Sequence, residues 1–122
     1  MTPLKEKSQN ESLKTVLSFI AFLNEEDFAS AKELASDDIH FDGVLAQREG
    51  KEAYFKDMEK MKMKYDVVKA FVDGNDVCLL SNVKSGATTM FTCSWYLLEK
   101  EKIKSLRVVF DPRPALEKAE KK

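Results

Sequence analysis

Few side chains in this sequence have the type and spacing that chemistry requires. His40 is the single histidine, so it is the one side chain whose unperturbed pKa lies near neutrality. A metal site would need further ligands nearby, and neither Cys78 nor Cys93 is close to His40 in sequence. Nucleophile motifs of the G-x-S-x-G type and glycine-rich phosphate loops are absent. We therefore expect no metal and no cofactor, and we interpret His40 as a polar surface residue.

The two cysteines and the charge balance exclude further classes of protein. Cys78 and Cys93 lie in apolar, strand-like surroundings, and one pair gives no disulfide framework, so we expect two buried thiols. The 20 basic and 21 acidic side chains leave a net charge of -1, so the chain has no excess of positive charge to attract a nucleic acid backbone. No segment reaches the roughly 20 apolar residues that cross a bilayer. The polar start, MTPLKEKSQNES, does not resemble a signal peptide, so we expect a cytoplasmic protein without membrane or nucleic-acid partners.

Helical patterns occupy the first half of the chain. Ser8 and Glu11 have the spacing of a capping box, which predicts that a helix begins near Ser8. Apolar residues then recur at helical spacing up to Asn24, which is expected to end this helix and to cap a second one over residues 28–35. A third helix is predicted over residues 51–64.

Strand patterns occupy the second half. Residues 39–42 alternate between apolar and polar types, as in a half-buried strand, and Gly43 and Gly50 bracket a short loop or hairpin behind them. Turn signals then separate a meander of four predicted strands, over residues 66–72, 76–84, 88–98 and 103–110. Helices followed by strands indicate an α+β fold, with three N-terminal helices packed on a strongly curved, mainly antiparallel sheet.

Three segments carry a resemblance to a known family: FLNEEDFASAKELASDDIHFDG, GKEAYFKDMEKM and KIKSLRVVFD. In this order they resemble the helix-helix-strand opening, the third helix and the last strand of the nuclear transport factor 2-like superfamily, in its SnoaL-like and ketosteroid isomerase-like branch. The resemblance implies a cone-shaped domain over residues 10–114, with a flexible N-terminal tail at 1–9 and a charged C-terminal tail at 115–122. Function does not follow, because this fold hosts isomerases, cyclases, hydrolases and binding modules.

The resemblance also implies two opposite faces of the sheet, which strand alternation transfers onto this chain. Helices and the concave face would enclose a pocket for a small, mostly apolar molecule. Its predicted lining is Phe19, Leu23, Phe41, Tyr54, Met58, Thr92, Ser94, Tyr96, Leu106, Val108 and Phe110.

The convex face would form a homodimer, because a monomer would leave an apolar patch open there. Its predicted contacts are Phe91, Cys93, Trp95, Leu97, Arg107 and Val109. If the strand register were reversed, the convex set would instead be core.

The catalytic residues of ketosteroid isomerases are missing from the matching positions. Gly43 stands at the position of the aspartate base, Phe19 at that of the tyrosine and Ser94 at that of the second acid. Asp42, beside the base position, is the best catalytic candidate, because a bulge would turn its carboxylate into the apolar pocket and raise its pKa. The alternative is a solvated aspartate at a strand end. Arg107 is expected to face outward and to form a salt bridge with Asp111.

Three functional hypotheses remain open after this comparison. The first is a protein that binds a small hydrophobic molecule. The second is an acid/base enzyme, an isomerase, cyclase or hydrolase that uses Asp42. The third is a non-catalytic dimerisation module whose cone is filled by its own side chains, such as Phe19, Phe41 and Phe110.

Overall fold

The computed structural model describes the backbone of residues 4–114, and side chains from residue 10 onward. The described residues form three helices and six strands. The helices are α1 (Leu4–Asn24), α2 (Phe28–Glu33) and α3 (Lys51–Met61), and the strands are β1 (Ala35–Asp42), β2 (Gln47–Glu49), β3 (Lys64–Asp73), β4 (Asp76–Ser85), β5 (Thr88–Glu99) and β6 (Lys102–Phe110). The predicted C-terminal tail, residues 115–122, lies outside the described residues, and the tail boundaries stay predictions.

One sheet contains all the described strands. Its order is β2-β1-β6-β5-β4-β3, and only the pairing of β1 with β6 is parallel among them. The meander of β3 to β6 follows from the short turns between these strands, because adjacent antiparallel strands need only a hairpin. The predicted α+β fold, with helices packed on a curved and mainly antiparallel sheet, is confirmed.

The helix ends differ in detail from the sequence-based predictions. Helix α1 begins at Leu4, before the predicted start near Ser8, because residues 4–7 (LKEK) are all helix formers. Asp27 caps α2 and accepts a hydrogen bond from the Ser30 backbone, so the predicted capping role of Asn24 is wrong. Helix α3 ends at Met61, because Lys62 adopts a left-handed backbone conformation with φ of 48°.

Asn24 instead joins the end of α1 to the sheet. Its amide nitrogen donates to the carbonyl of Tyr65 at 2.9 Å, and its Oδ1 accepts from the Tyr65 backbone N–H at 2.7 Å. Lys64 adds a bond from its Nζ to the Asn24 carbonyl at 2.9 Å. These contacts hold the start of β3 against the end of α1, although Asn24 and Tyr65 are 41 positions apart in the sequence.

The first strand is longer than predicted. It begins at Ala35 instead of Ile39, since Ala35 pairs with Ile103 of β6, and a register shift separates this pair from the one between His40 and Ser105. The bracketed segment between the glycines forms a hairpin, in which β2 pairs with β1. No described helix is both long and apolar enough to span a membrane.

The hydrophobic core lies between the helices and the inner face of the sheet. Alternate side chains of β4 and β5 are buried on this face, and α1 packs over β3 and β4 while α3 packs over β1 and β2. A run of aromatic rings crosses this core, with centroid separations between 5.1 and 6.4 Å. In order of contact the rings are Phe41, Tyr54, Phe55, Phe19 and Tyr96.

The core predicts a large difference between two leucine truncations. Leu23 is 1% exposed and Leu45 is 66% exposed. Leu23→Ala should lower the free energy of unfolding by about 2–5 kcal/mol, because it removes buried contacts and leaves a cavity. Leu45→Ala, the matched control, should change it by less than about 0.5 kcal/mol. Urea unfolding followed by circular dichroism measures both values, and equal effects would contradict this description of the core.

Candidate functional site

A cavity of about 720 Å³ opens between α3, the segment that joins β1 to β2, and the inner face of β4, β5 and β6. This volume falls within the range of small-molecule sites, roughly 300–1,000 Å³. The walls are mainly apolar, with methionines from α3 and the turn behind it, namely Met58, Met61 and Met63. The segment 43–46 borders the opening, and its Val44 and Leu45 side chains are exposed to solvent.

The structure brings together all but two of the side chains predicted for the pocket. Those that line the cavity are Phe41, Tyr54, Met58, Thr92, Ser94, Tyr96, Leu106, Val108 and Phe110. Alternation along β5 and β6 turns the last six of these to the same face of the sheet, while their neighbours turn to the other. Their role as ligand contacts stays a prediction.

Phe19 and Leu23 do not line the cavity, so their assignment to its wall is wrong. Both side chains are fully buried in the core. Phe19 packs edge-on against the rings of Phe55 and Tyr96, with centroids 6.1 and 6.4 Å away. These rings separate α1 from the cavity. Apart from its apolar character, nothing in the sequence indicates that Phe55 packs between α1 and the cavity.

Three tyrosine hydroxyls supply polar groups along an otherwise apolar wall. Tyr54, Tyr65 and Tyr96 all line the cavity. Burial raises the pKa of each of these hydroxyls, and Tyr96 adds to the rise at Tyr54 and at Tyr65. They therefore remain protonated at neutral pH and are able to donate hydrogen bonds. Tyr65 lies just before the predicted strand start, which is why sequence reasoning missed it.

The position of the isomerase base has no space for a side chain. A Cβ atom at Gly43 would lie 2.8 Å from the ring of Phe41, so this ring would have to move to admit one. Ser94, at the position of the second acid, is buried on the cavity wall. These residues do not provide the acids of ketosteroid isomerase.

Asp42 points away from the cavity, which agrees with the alternative of an aspartate at a strand end and lacks the inward turn that catalysis would require. Its Oδ2 accepts a hydrogen bond from the Arg107 guanidinium at 2.7 Å, and its Oδ1 accepts one from Gln47 at 3.2 Å. The hydrogen bond from Arg107, followed by that from Gln47, lowers the pKa of Asp42, where the sequence-based hypothesis required a rise. The predicted bridge between Arg107 and Asp111 is also wrong, because Asp111 pairs with Arg113 at 2.6 Å.

His40 lies outside the cavity, as the alternation with Phe41 predicted. Its Nδ1 contacts the carboxylate of Glu49, its register partner on β2. In the part of the chain that the structure describes, no three His, Cys, Asp or Glu side chains converge in a way that could hold a metal ion. His40 is thus a surface residue with a neighbouring carboxylate.

The opposite face of the sheet carries an outer patch, which we define as Phe91, Cys93, Trp95, Leu97, Arg107 and Val109. Phe91 is 53% exposed, Trp95 48% and Val109 53%. The indole Nε1 of Trp95 donates to Asp76 Oδ1 at 2.8 Å, which fixes the orientation of the ring on the surface. A shallow hollow of about 450 Å³ adjoins these residues. This arrangement is the one that alternation predicted, and the partner of the patch stays a prediction.

The cysteines are closer to each other and more exposed than predicted. Cys78 and Cys93 lie on adjacent strands with their Sγ atoms 3.3 Å apart, and both are half-buried. Burial, followed by the hydrogen bond with Cys93, raises the pKa of the Cys78 thiol to about 11. A neutral thiol is a poor nucleophile, so this position does not suit nucleophilic catalysis.

Sequence reasoning missed the charged edge of the cavity. Arg48 of β2 and Asp57 and Lys60 of α3 are lining residues. Arg48 Nε donates to Asp57 Oδ2 at 2.7 Å. Nothing in the sequence pairs positions 48 and 57, because their contact depends on how the hairpin packs on the helix.

Comparison with solved structures gives relatives at very different levels of sequence identity. A nuclear transport factor 2-like protein of unknown function from Cytophaga hutchinsonii is 46% identical, with a TM-score of 0.84 over 86% of this chain and 94% of that chain. A putative SnoaL-like polyketide cyclase from Shewanella denitrificans is 11% identical, with a TM-score of 0.77 over 91% and 98%. An LEH-like epoxide hydrolase of M. tuberculosis is 18% identical, with a TM-score of 0.79 over 89% of each chain. The last two show the fold alone.

No curated protein matches the sequence at a significant level. The model of the SnoaL-like domain, however, matches residues 16–106. This match begins within α1, at Val16, and ends at Leu106 of β6. The chain therefore belongs to the SnoaL-like domain family, within the nuclear transport factor 2-like superfamily.

Proposed function

We propose that this protein binds a small, mostly apolar molecule in the cavity between α3 and the sheet. The observation that carries the proposal is the volume of about 720 Å³ left open beside the aromatic core. A dimerisation module with a filled cone would place side chains in this space. The cavity therefore favours ligand binding over the filled alternative.

The composition of the wall limits the chemistry of the ligand. Methionine, valine and phenylalanine side chains are prominent in the lining, which suits an aliphatic or aromatic body. The hydroxyls of Tyr54, Tyr65 and Tyr96 supply donors for one or two oxygen acceptors on that body. A polar ligand would lose its hydration against the apolar wall without full compensation.

Acid/base catalysis receives less support from the site. Asp57 is the carboxylate among the described lining residues, and Arg48 already neutralises it in an ion pair with a separation of 2.7 Å. Asp42 lies outside the lining and bonds to Arg107. Binding is therefore the function that the geometry supports best.

We also propose that a second copy of this chain covers the outer patch. Phe91, Trp95 and Val109 present contiguous apolar side chains on adjacent strands, with Cys93 pairing to Val109 and Trp95 to Arg107. Large exposed aromatic residues on one face favour a protein contact. A two-fold axis through this patch would bring the same residues of both copies together, as an isologous dimer requires.

Neighbouring substitutions on β6 test the proposed cavity. Val108 lines the cavity and Val109 faces the other side. Val108→Trp should weaken binding of 1-decanol and 2-naphthol by roughly tenfold or more, because the indole occupies ligand volume. Val109→Trp, the matched control, should leave this affinity unchanged. Titration of ¹⁵N-labelled protein by NMR measures both.

The same titration can contradict the proposed function. Wild-type protein that binds neither probe up to its solubility limit would count against a hydrophobic site. So would equal weakening by both variants, because only one of them changes the cavity. Native-like spectra of each variant exclude misfolding as the cause.

A charge on the outer patch should disrupt the proposed dimer. Trp95→Lys places an ammonium group where the second copy would exclude water, and buried interface tryptophans typically contribute at least about 2 kcal/mol. We expect the variant to sediment as a monomer at concentrations where the wild type is dimeric. Leu45→Lys, at the cavity opening, is the control and should remain a dimer. Analytical ultracentrifugation gives both masses, and a monomeric wild type would refute the interface.

A further inference from the structure

The lining of the cavity carries an unbalanced positive charge. Its charged members among the described residues are Arg48, Asp57 and Lys60. Arg48 and Asp57 compensate each other at 2.7 Å. Lys60 forms no ion pair with any residue in the described range 10–114, whereas Lys62 and Lys64 share Glu26 at 3.7 and 2.9 Å.

The position of Lys60 on α3 accounts for only part of this arrangement. It lies in the last turn of the helix, where a cation interacts favourably with the negative helix terminus. Lys56 lies about one turn earlier on the same helix, is also exposed, and is not among the lining residues. The helix dipole thus explains why a basic residue lies near the end of α3. It does not explain why the charge of Lys60 lies at the cavity edge without an opposite charge beside it.

We propose that the ligand of this cavity is an amphiphile whose anionic group lies at the opening against the Lys60 ammonium. This inference rests on the proposed ligand-binding function and specifies its substrate class. The apolar body of the ligand packs between Met61, Met90, Val108 and Phe110, and the anionic group, such as a carboxylate, points to solvent. Lys60 then distinguishes ligands by the charge of their head group.

The orientation follows from the cost of burying charge. A carboxylate placed deep in the cavity would lose most of its hydration, and the tyrosine hydroxyls there offer no opposite charge to replace it. At the opening the same carboxylate keeps water on one side and gains a cation on the other. The apolar body gains most from the deeper walls.

The size of the effect is modest, because Lys60 is exposed. Ion pairs between exposed groups change an equilibrium by a factor of roughly two to five. Salt weakens them further, since the screening length is about 10 Å at 0.1 M ionic strength. Lys60 therefore selects among ligands of similar shape, while the apolar walls supply most of the affinity.

Three ten-carbon probes that differ only in the head group test the proposal: decanoate, 1-decanol and decylamine. Wild-type protein should bind decanoate roughly two- to fivefold more tightly than 1-decanol, and decylamine more weakly than either. Lys60→Gln should remove the preference for decanoate and leave the affinity for 1-decanol unchanged. Lys56→Gln, on the same helix, should retain the preference. NMR titration at 20 and 500 mM salt provides the affinities, and the preference should shrink at the higher salt.

The outcomes separate this inference from the proposed function. If none of the probes binds, the hydrophobic site itself is wrong. If decanoate and 1-decanol bind equally, or if Lys60→Gln and Lys56→Gln have the same effect, the site stands and the role of Lys60 is overturned. A preference for decylamine would also overturn it, because it would assign the head-group contact to Asp57.

Discussion

The packing of aromatic rings between α1, α3 and the sheet is the interaction on which the rest of this structure depends. Phe19 contacts both Phe55 and Tyr96, and Tyr54 contacts Phe55 and Phe41. Each of these rings buries a large apolar area, and edge-to-face contacts add to that gain. Because Tyr54 and Tyr96 also line the cavity, the same cluster that holds the helices on the sheet forms the floor of the candidate site.

Strand alternation divides the sheet into two surfaces with different chemistry. Two inner residues of β5, Thr92 and Ser94, are small and hydroxyl-bearing, which leaves space between this part of the sheet and α3. Their neighbours Phe91 and Trp95 are large and exposed on the outer patch. The proposed ligand uses the space on the inner face, and the proposed second copy covers the apolar side chains on the outer face.

The charged groups explain why the fold supports binding more readily than acid/base chemistry. The pair of Asp42 and Arg107 lies on the outer side of β1 and β6, and the pair of Arg48 and Asp57 lies at the cavity edge. The hydrogen bond from Arg107 lowers the pKa of Asp42, so this carboxylate is a weak base. In the proposed complex, the ammonium of Lys60 at the opening selects among ligands by their charge.

The sequence by itself determined the class of fold, the curvature of the sheet and the order of the elements. It also divided the residues of each strand into two alternating sets, because alternation is a local pattern that is visible in the residues themselves. The family resemblance then assigned one set to the pocket and the other to the outer face. Only the tertiary structure decided which inner residues are core and which line the cavity, and it removed Phe19 and Leu23 from the predicted wall. It also paired Asp42 with Arg107, 65 positions away, a contact that no local pattern reports.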